Sequence, residues 1–300
     1  MSYNIRIIDL KESNIGEQVA TLINTTFNLN LTWQKILLNT YYDNSISNSP
    51  PSFYVGAFDE AKLIGFTAFK SHDFLQNGEI INCFHHCSVC TSKEYRGKGI
   101  FPSIIEFGKQ EAIKLGAGFL YGIPNHNSGP VFKKLNYKNF GPFLKVNVPN
   151  VPLLFENAFG KWQETDVLYA EKSFYQNEYQ LIDAKTKEHG TDLLVYEDLG
   201  NLIWGIKLIK KIGPVNISYF SVGGMIINKP HFFKQSVKKL IMKYKINFVQ
   251  FIFHNTSVYK NLFTSPKEAP FVEPFVVYPL KSELSSNDVF NFMPGIKNNF

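Results

Sequence analysis

The sequence predicts a mixed α/β fold in which a mostly antiparallel sheet is flanked by helices, arranged as two tandem lobes. Two apolar segments, 53–58 and 62–69, are separated by a short polar turn and form a hairpin pattern. An apolar run over 80–90 precedes a glycine-rich turn and a helical pattern over 102–115. The second half of the chain repeats this order of elements, and an apolar content of 44% supports buried cores.

The other elements of the first half follow from periodicity and turn residues. Apolar residues at helical spacing predict two helices ahead of the hairpin, and a short apolar run after the glycine-rich turn and its helix predicts another strand. The polar segment 125–128 is typical of a helix start. These elements are helices over 17–28 and 33–40, a strand over 118–123, and a short helix ending near 135–137.

The turn at residues 95–101 has the pattern of an anion-binding site. A turn that leads into a helix leaves backbone N–H groups without partners, and the helix dipole adds positive potential there. Arg96 and Lys98 add formal positive charge, whereas Gly97 and Gly99 permit positive φ and close approach of a ligand. The segment therefore predicts binding of a phosphate or pyrophosphate.

Two other phosphate-binding motifs do not fit this turn. A dinucleotide fingerprint needs a further glycine where the chain has Pro102. The pattern GxxxxGK[ST] of nucleoside triphosphatases does not occur in the sequence. The turn therefore indicates a different class of phosphate ligand.

The segment resembles the acyl-CoA-binding signature of the GNAT superfamily of N-acetyltransferases, which reads Arg/Gln-x-x-Gly-x-Gly/Ala between the fourth strand and the third helix. Arg96 and Gly99 match, and Phe101 stands where the family has Gly or Ala. The elements before and after the turn follow in the family's order, so the resemblance covers about residues 1–145. It implies an acyltransferase that uses acyl-coenzyme A, with residues 1–148 as the acyl-CoA-binding GNAT domain.

The resemblance also implies which residues contact the co-substrate. The backbone at the end of the long strand is expected to run beside the pantetheine arm and, near Val89, to donate an N–H to the carbonyl oxygen. The glycine-rich turn is expected to hold the diphosphate. The implied contacts are Val89, Thr91, Arg96, Gly97, Lys98, Gly99, Ile100, Phe101 and Asn127.

Acyl transfer to an amine needs a base, and three residues are candidates. His85 is the first choice, because several family members place a base near this point of the fourth strand, and a histidine pKa of ~6.5 suits proton removal near neutrality. A hydrogen-bonded core histidine is the alternative interpretation. His126, in the loop after the fifth strand, is the second candidate, and Tyr121 is the third.

The proton donor for the leaving thiolate is left open. Aligning 128–137 on the family pattern puts Phe132 at the position of a common tyrosine, and a phenyl ring cannot donate a proton. Tyr121, Tyr137 or a water molecule serves instead, or the thiolate leaves unassisted, since a thiol of pKa ~8.5 is a tolerable leaving group.

The three cysteines, Cys83, Cys87 and Cys90, do not predict a metal site, although two histidines lie between them. Strict alternation along a strand would put Cys87 and Cys90 on opposite faces of the sheet, and would put His85 beside Cys87 with His86 facing away. A Cys-x-x-Cys zinc knuckle needs a turn rather than a strand. We therefore expect buried, reduced cysteines and no metal.

Residues 149–300 are predicted to form a degenerate GNAT-like domain that contributes to the acceptor pocket, with pure scaffolding as the alternative. The glycine pair in 221–225 is not followed by basic residues suited to a pyrophosphate, so we expect no CoA site there. The predicted elements are strands over 193–197, 202–209, 215–222, 248–253 and 271–278, and helices over 229–243 and 256–263.

The net charge of the chain indicates which classes of partner to expect. A net charge of +6 and a pI of about 9 suit anionic small molecules such as CoA or a nucleotide diphosphate. The sequence has no recognised nucleic-acid module, no signal-peptide pattern and no run of ~18 apolar residues. We therefore expect a cytoplasmic protein with neither nucleic acid nor membrane as a partner, and its oligomeric state is not predicted.

The preferred functional hypothesis is an N-acyltransferase that acts on a small-molecule amine. The two-lobed arrangement and the segment 121–128 resemble bacterial GNAT members that modify surface-polysaccharide precursors, which implies a nucleotide-linked amino sugar as the acceptor. A peptide, an aminoacyl group or a drug amine is the alternative acceptor. A non-catalytic CoA-binding module is the alternative function, and the acyl chain is not predicted.

Overall fold

The computed structural model describes residues 3–30, 32, 50–160, 173–189, 192–269, 274–281, 284, 285, 288–291 and 293. The helix predicted over 33–40 lies outside these residues. The described strands are β1 (Asn4–Ile7), β2 (Phe53–Asp59), β3 (Lys62–Gln76), β4 (Glu79–Thr91), β5 (Phe119–Gly122), β6 (Lys138–Gly141), β7 (Phe143–Pro149), β8 (Ser173–Gln176), β9 (Leu193–Asp198), β10 (Asn201–Ile212), β11 (Val215–Ile227), β12 (Phe248–His254), β13 (Lys267–Glu268), β14 (Phe275–Pro279) and β15 (Val289–Asn291). The described α-helices are α1 (Ser13–Phe27), α2 (Ile100–Lys114), α3 (Gly129–Lys134), α4 (Pro152–Ala158), α5 (Glu178–His189) and α6 (Phe233–Tyr244).

The chain forms two compact units, and its described strands form two sheets. The fold class predicted from the sequence, a mostly antiparallel sheet flanked by helices in each of two lobes, is confirmed. The first unit comprises Met1–Phe74, Ile80–Asn139 and Val276–Leu284, and the second comprises Leu75–Glu79, Phe140–Phe275 and Ser285–Phe300.

The sheet that contains the first unit's strands runs in the order β1-β2-β3-β4-β5-β14-β6. The β2–β3 pair is the predicted hairpin, with Phe53 opposite Phe69 at one end and Asp59 opposite Lys62 at the other. β4 and β5 run parallel and are connected by α2. Parallel neighbours need such a crossover, and the predicted strand–turn–helix–strand segment supplies it.

Helices α1 and α2 pack on different sets of sheet side chains. The apolar stripe of α1 is buried with Phe66, Ala68 and Cys90, and that of α2 is buried with Ile64, Phe69 and Phe84. Two glycines let α2 approach the sheet closely, because a Cβ at Gly65 would lie 2.7 Å from Ile100 Cγ2 and one at Gly108 would lie 1.9 Å from Phe69 Cζ. The packing of α2 fixes where its N-terminus meets the end of β4.

The side-chain alternation of β4 is interrupted at Ser88, and this corrects one prediction. Ser88 has a left-handed φ of 52°, which breaks the period of two. As a result Cys87 and Cys90 both pack against the α1 cluster, and the expectation that they face opposite sides of the sheet was wrong. The three cysteines are free thiols, and the described residues contain no group of three or more His, Cys, Asp or Glu side chains placed to hold a metal ion.

The second unit's sheet runs in the order β13-β7-β12-β11-β10-β9. β11 and β12 run parallel and are connected by α6, so this unit repeats the parallel crossover of the first. Its core lies between the sheet and α6, where Phe233, Val237 and Leu240 are buried. The predicted helix over 229–243 is a 3-10 turn at Pro230–Phe232 followed by α6.

Each sheet contains a strand that the sequence analysis assigns to the other lobe. β7, which follows the first unit in the chain, pairs with β12 in the second unit's sheet. The strand predicted over 271–278 is β14, and it pairs with β5 in the first unit's sheet, with Val276 opposite Gly122. Its assignment to the second lobe was therefore wrong, because an apolar strand carries no signal for its partner. The chain changes units at Asn139/Phe140, whereas the sequence places the boundary at residue 148.

No helix among the described residues is long and apolar enough to cross a membrane.

Candidate active site

The predicted anion-binding turn adopts the backbone conformation that its glycines permit. A 3-10 turn at Lys93–Tyr95 follows β4. Gly97 and Gly99 then have φ of 77° and 79°, and α2 begins at Ile100. The N–H groups of the first helical turn have no partner within the helix, and the positive end of its dipole lies at the same place. The turn therefore has the backbone conformation that the predicted anion site requires.

The surface of this turn is open. A Cβ added to either Gly97 or Gly99 would meet no heavy atom within 4 Å, and both glycines are exposed, as are Arg96 and Lys98. The glycines are thus needed for positive φ and for close approach from outside, rather than for packing against the protein.

Contacts behind the turn hold it on the sheet. The Ser92 N–H donates to the Ile64 carbonyl at 2.8 Å, and the Tyr95 hydroxyl donates to Asp59 Oδ2 at 2.6 Å. Lys98 Nζ lies 4.8 Å from the centroid of the Tyr95 ring. These contacts tie the turn to β2 and β3.

β4 and β5 separate beside the turn. Their parallel ladder pairs Cys83, Phe84 and His85 with Phe119, Leu120 and Tyr121, and β5 ends one residue later, whereas β4 continues to Thr91. Val89 and Thr91, predicted to contact the pantetheine, lie on this continuation and are half-buried. The ladder therefore ends before β4 does.

Three aromatic rings meet where the ladder ends. His85 and Tyr121 are direct partners across it, and their rings stack with centroids 4.9 Å apart at 11°. The Tyr121 hydroxyl is hydrogen-bonded to Nδ1 of His72, and the His72 ring lies 5.9 Å from that of His85. All three side chains are buried.

The sequence reasoning missed His72. Its signal was present as four consecutive polar residues, Lys70 to Asp73, inside an otherwise apolar strand that the structure extends to Gln76. All four are buried, and a buried polar run in a strand needs hydrogen-bond partners. The predicted strand ended at residue 69, so these side chains were assigned no hydrogen-bond partners.

Burial sets the protonation of this cluster. Burial, and then the nearby Cys83 and Cys87, raise the pKa of Tyr121 well above its ordinary value, so its hydroxyl keeps its proton at neutral pH. Burial, and then Asp73, raise the pKa of Cys83, whose Sγ donates to the His72 carbonyl at 3.1 Å.

A second cluster forms around His86, which points away from His85 as alternation predicts. The Tyr137 hydroxyl lies 2.5 Å from His86 Nε2, and the rings of Phe69 and Phe132 flank the imidazole with centroids 4.7 and 5.7 Å from it. Burial, and then the Lys109 ammonium, lower the pKa of His86 to about 3, so the ring is neutral and its Nε2 can accept the phenol proton.

Phe132 and Phe101 occupy the two positions that depart from the family pattern. Phe132 is buried, and its ring lies 4.9 Å from that of Tyr137 and 5.6 Å from that of Phe101. The Tyr137 phenol is therefore adjacent to Phe132, which stands where the family pattern has a tyrosine. The half-buried Phe101 ring packs on the α2 side of the sheet, which leaves its backbone N–H in the first turn of α2.

The turn after β5 contains the other two predicted residues, His126 and Asn127. Both are exposed, and among the described residues no ring contact or hydrogen bond joins His126 to the His85 cluster. Asn125 organises this turn, since its Oδ1 accepts from the N–H groups of Asn127 and Ser128 at 3.0 and 3.1 Å. The structure therefore brings His85 and Tyr121 together and leaves His126 apart from them.

A family comparison matches the part of the chain that carries these features. The model of the acetyltransferase (GNAT) domain matches residues 6–140. No curated protein sequence matches the chain significantly.

Solved structures with a similar fold span most of the chain. One is a conserved protein of unknown function from Enterococcus faecalis, called a probable N-acyltransferase (TM-score 0.58, 12% identity), which is matched over 94% of this chain and 73% of its own. A GCN5-related N-acetyltransferase from Kribbella flavida (TM-score 0.61, 10% identity) is matched over 93% and 72%. A putative acetyltransferase from Pyrococcus horikoshii (TM-score 0.55, 10% identity) is matched over 98% and 95%. At these identities the likeness shows the fold.

Proposed function

Residues 6–140 belong to the GNAT acetyltransferase family, and on this premise we propose that the protein transfers an acyl group from acyl-coenzyme A to the amine of a small molecule. The observation that carries the proposal is the open turn of Gly97 and Gly99 at the start of α2, beside the point where β4 and β5 separate. A diphosphate binds the turn, and an extended arm lies along Val89 and Thr91.

The residues of the turn fit the diphosphate of coenzyme A. Helix N-terminal N–H groups and positive φ at two glycines favour an anionic ligand that approaches closely. Arg96 and Lys98 supply the countercharge, and the backbone of Ile100, Phe101 and residues before them supplies the donors.

A bound acyl-coenzyme A supplies a thioester carbonyl, whose C–S bond breaks as the new C–N bond forms. The acceptor amine must lose one proton for this, and we assign its removal to His85. The His85 ring is held by the stacked Tyr121 ring, and the Tyr121 hydroxyl is fixed in turn by His72. This support from two strands restricts the imidazole to one orientation.

The thiolate leaves with a proton, and we assign its donation to Tyr137. This phenol contacts Phe132, which occupies the position of the family's tyrosine. Burial, followed by Glu106 and Tyr278, raises the pKa of Tyr137 well above its ordinary value, so that it remains protonated at neutral pH. His86 Nε2 accepts the hydrogen bond of this phenol, and the O–H turns from His86 to the thiolate sulfur as the C–S bond breaks.

The acceptor that we propose is a nucleotide-linked amino sugar. It is supported by the sequence resemblance of segment 121–128 to polysaccharide-modifying members and by the net charge of +6, which favours an anionic acceptor. The degenerate second domain is proposed to contribute to its pocket.

Calorimetry first tests the binding of coenzyme A, and a turnover assay then tests acyl transfer. Coenzyme A is titrated into the purified chain and into the Arg96→Ala variant, and we expect binding that weakens about tenfold in the variant because one charge-assisted contact is lost. Absence of any affinity in the unmodified chain would refute the proposal. Thiol release from acetyl-CoA is then measured with nucleotide-linked amino sugars, free amino sugars, peptides and drug amines.

Paired histidine variants test the assignment of the base. His85→Gln should lower kcat by about 100-fold or more, the usual contribution of a general base, while CoA binding is kept. His126→Gln is the matched control, an exposed histidine one loop away, and should stay within about twofold. An equal loss of kcat in both variants, or no loss in either, would show that His85 is not the base.

Phe132 is the specific observation that favours the other function, a non-catalytic CoA-binding module, because the family's phenol is missing there. Thioester turnover with any amine of the panel excludes that function. Tight CoA binding without turnover across the whole panel supports it.

A further inference from the structure

The strands β10 and β11 extend beyond the rest of their sheet as a two-stranded arm, which we define as residues 207–218. The ladder of β10 with β9 ends at Ile206, and the ladder of β11 with β12 begins at Tyr219. Between them only the β10–β11 pairing continues, to Ile212 opposite Val215. Two-stranded hairpins are marginal in water without an apolar face packed on something.

One face of the arm carries the apolar residues Leu208, Ile212, Val215 and Ile217, together with Lys210. Cross-strand partners point to the same face, so Ile212 lies beside Val215 at the tip. Two residues nearer the base of the arm, Lys210 lies beside Ile217 on the same face. Ile212 and Val215 are 53% and 56% exposed at the tip. At the base, the Tyr219 ring stacks on that of Phe248 at 4.8 Å. The opposite face carries Lys207, Lys211 and Ile209, and the last is 69% exposed.

The charged residues of the arm, and of the chain from there to Lys267, are all lysines. From Leu199 to Lys267 inclusive there are eleven lysines and no Asp, Glu or Arg, and the acidic residues Glu197, Asp198 and Glu268 border this stretch. Three of the lysines lie on the arm, and others lie on α6, whose carboxyl end meets the arm where Lys207 Nζ donates to the Tyr244 carbonyl at 3.0 Å. On α6, Lys234 pairs with Glu156 and Lys239 pairs with Asp198, so the positive charge beside the apolar tip is that of the arm's own lysines.

We propose that the arm docks the protein on an anionic lipid bilayer. The tip of the arm enters the interface with Ile212 and Val215 among the acyl chains, while Lys210 and Lys211, one on each face beside the tip, extend their stems to the lipid phosphates. This arrangement needs no membrane-spanning helix. It places the acyltransferase beside a membrane surface, which goes beyond the proposed reaction.

The composition of the arm favours lipid over other anionic partners. A nucleic acid would satisfy the lysines but would leave the exposed aliphatic side chains of the tip in water, since phosphates and base edges offer them no hydrocarbon partner. A second copy of the chain would bring lysine-rich arms together, and like charges repel. A bilayer with anionic headgroups accommodates both features at once.

Sedimentation with vesicles tests the proposal. The full chain is mixed with phosphatidylcholine vesicles or with vesicles containing one part phosphatidylglycerol to two parts phosphatidylcholine, at low salt. We expect binding to the anionic vesicles alone, with at least a tenfold loss at high salt because the attraction is screened. Ile212→Asn/Val215→Asn and Lys210→Glu/Lys211→Glu should each reduce the binding about tenfold.

Two controls separate the arm from general charge and exposure. Lys238→Glu changes the charge of the same unit on α6, and Leu153→Asn removes an exposed aliphatic side chain on α4. The proposal expects at most about a threefold effect from either. Thermal melting and CoA titration confirm that all variants remain folded.

Three results would overturn the proposal. The first is equal sedimentation of the arm variants and the unmodified chain, or no sedimentation with anionic vesicles at low salt. The second is tight binding to duplex DNA that the lysine variant loses and the Ile212/Val215 variant keeps, which would assign the surface to nucleic acid. The third is a dimer in light scattering that the Ile212/Val215 variant dissociates, which would assign the arm to a second copy.

Discussion

Replacing Glu178 with glutamine should abolish a strong pH dependence of stability in the second unit. Glu178 opens α5, is 5% exposed, and accepts a hydrogen bond from Trp204 Nε1 at 2.5 Å through its Oε2. A Cβ at Gly224 would lie 1.8 Å from this oxygen, so the carboxyl group is enclosed on that side by backbone. Burial raises its pKa from 4.5 to about 8, although hydrogen bonds from Trp204, Gln176 and the Met225 backbone oppose the effect.

The sign and size of the effect follow from proton linkage. Between pH 4.5 and about 8 the folded protein keeps a proton on Glu178 that the unfolded chain has released, so the free energy of unfolding falls as the pH rises through this window. At about 1.4 kcal/mol per pH unit, the loss is about 3 kcal/mol at pH 7 and about 5 kcal/mol at pH 8. The Glu178→Gln variant cannot ionise, and its amide oxygen still accepts from Trp204.

The assay is urea unfolding followed by circular dichroism at pH 4.5, 6, 7 and 8. The difference in unfolding free energy, variant minus unmodified chain, should rise by several kcal/mol across the series. Glu197→Gln, at an exposed carboxylate on β9, is the matched control and should change by less than about 0.5 kcal/mol. Parallel curves for the Glu178 variant and the unmodified chain would refute the reasoning, since they would mean that the carboxyl group ionises inside the fold without cost.

Three further predictions concern the proposed acyltransferase site. Gly99→Ala should weaken CoA about tenfold in calorimetry because alanine disfavours a φ of 79°, whereas Gly78→Ala, with a similar φ of 82° at a hairpin turn, should leave the affinity unchanged. Gly108→Ala should lower the unfolding free energy by about 1–3 kcal/mol by overpacking against Phe69, and Phe69→Leu in the same chain should restore part of the loss in thermal melts. Tyr137→Phe should reduce kcat about tenfold in thiol-release assays with KM nearly constant, and an unchanged kcat would assign proton donation to water.

The glycine-rich turn was predictable because its requirements are local. Two glycines, two cationic residues and a following helical pattern lie within a few positions of each other, and the turn in the structure has the positive φ values that this pattern predicts. The hairpin over β2 and β3 was predictable for the same reason, since each strand shows its apolar run and the turn lies between them.

The arrangement of the candidate active site was less accessible, because it depends on contacts between distant residues. His85 was proposed from its position on a strand, but the partner that fixes Tyr121, His72, is forty-nine positions away from that tyrosine in the chain. Ser88 shows how one left-handed residue overturns an argument from alternation, since a period of two holds only while every residue stays extended.

The sequence by itself determined the order of elements, the conformation of the glycine-rich turn and the two-lobed plan, since each follows from side-chain periodicity or from residues adjacent in the chain. The tertiary structure decided which sheet β7 and β14 complete, how far β10 and β11 extend beyond their neighbours, and which rings surround His85. An apolar strand can pair with any free edge of suitable length, so its partner is selected by the packing of the whole chain.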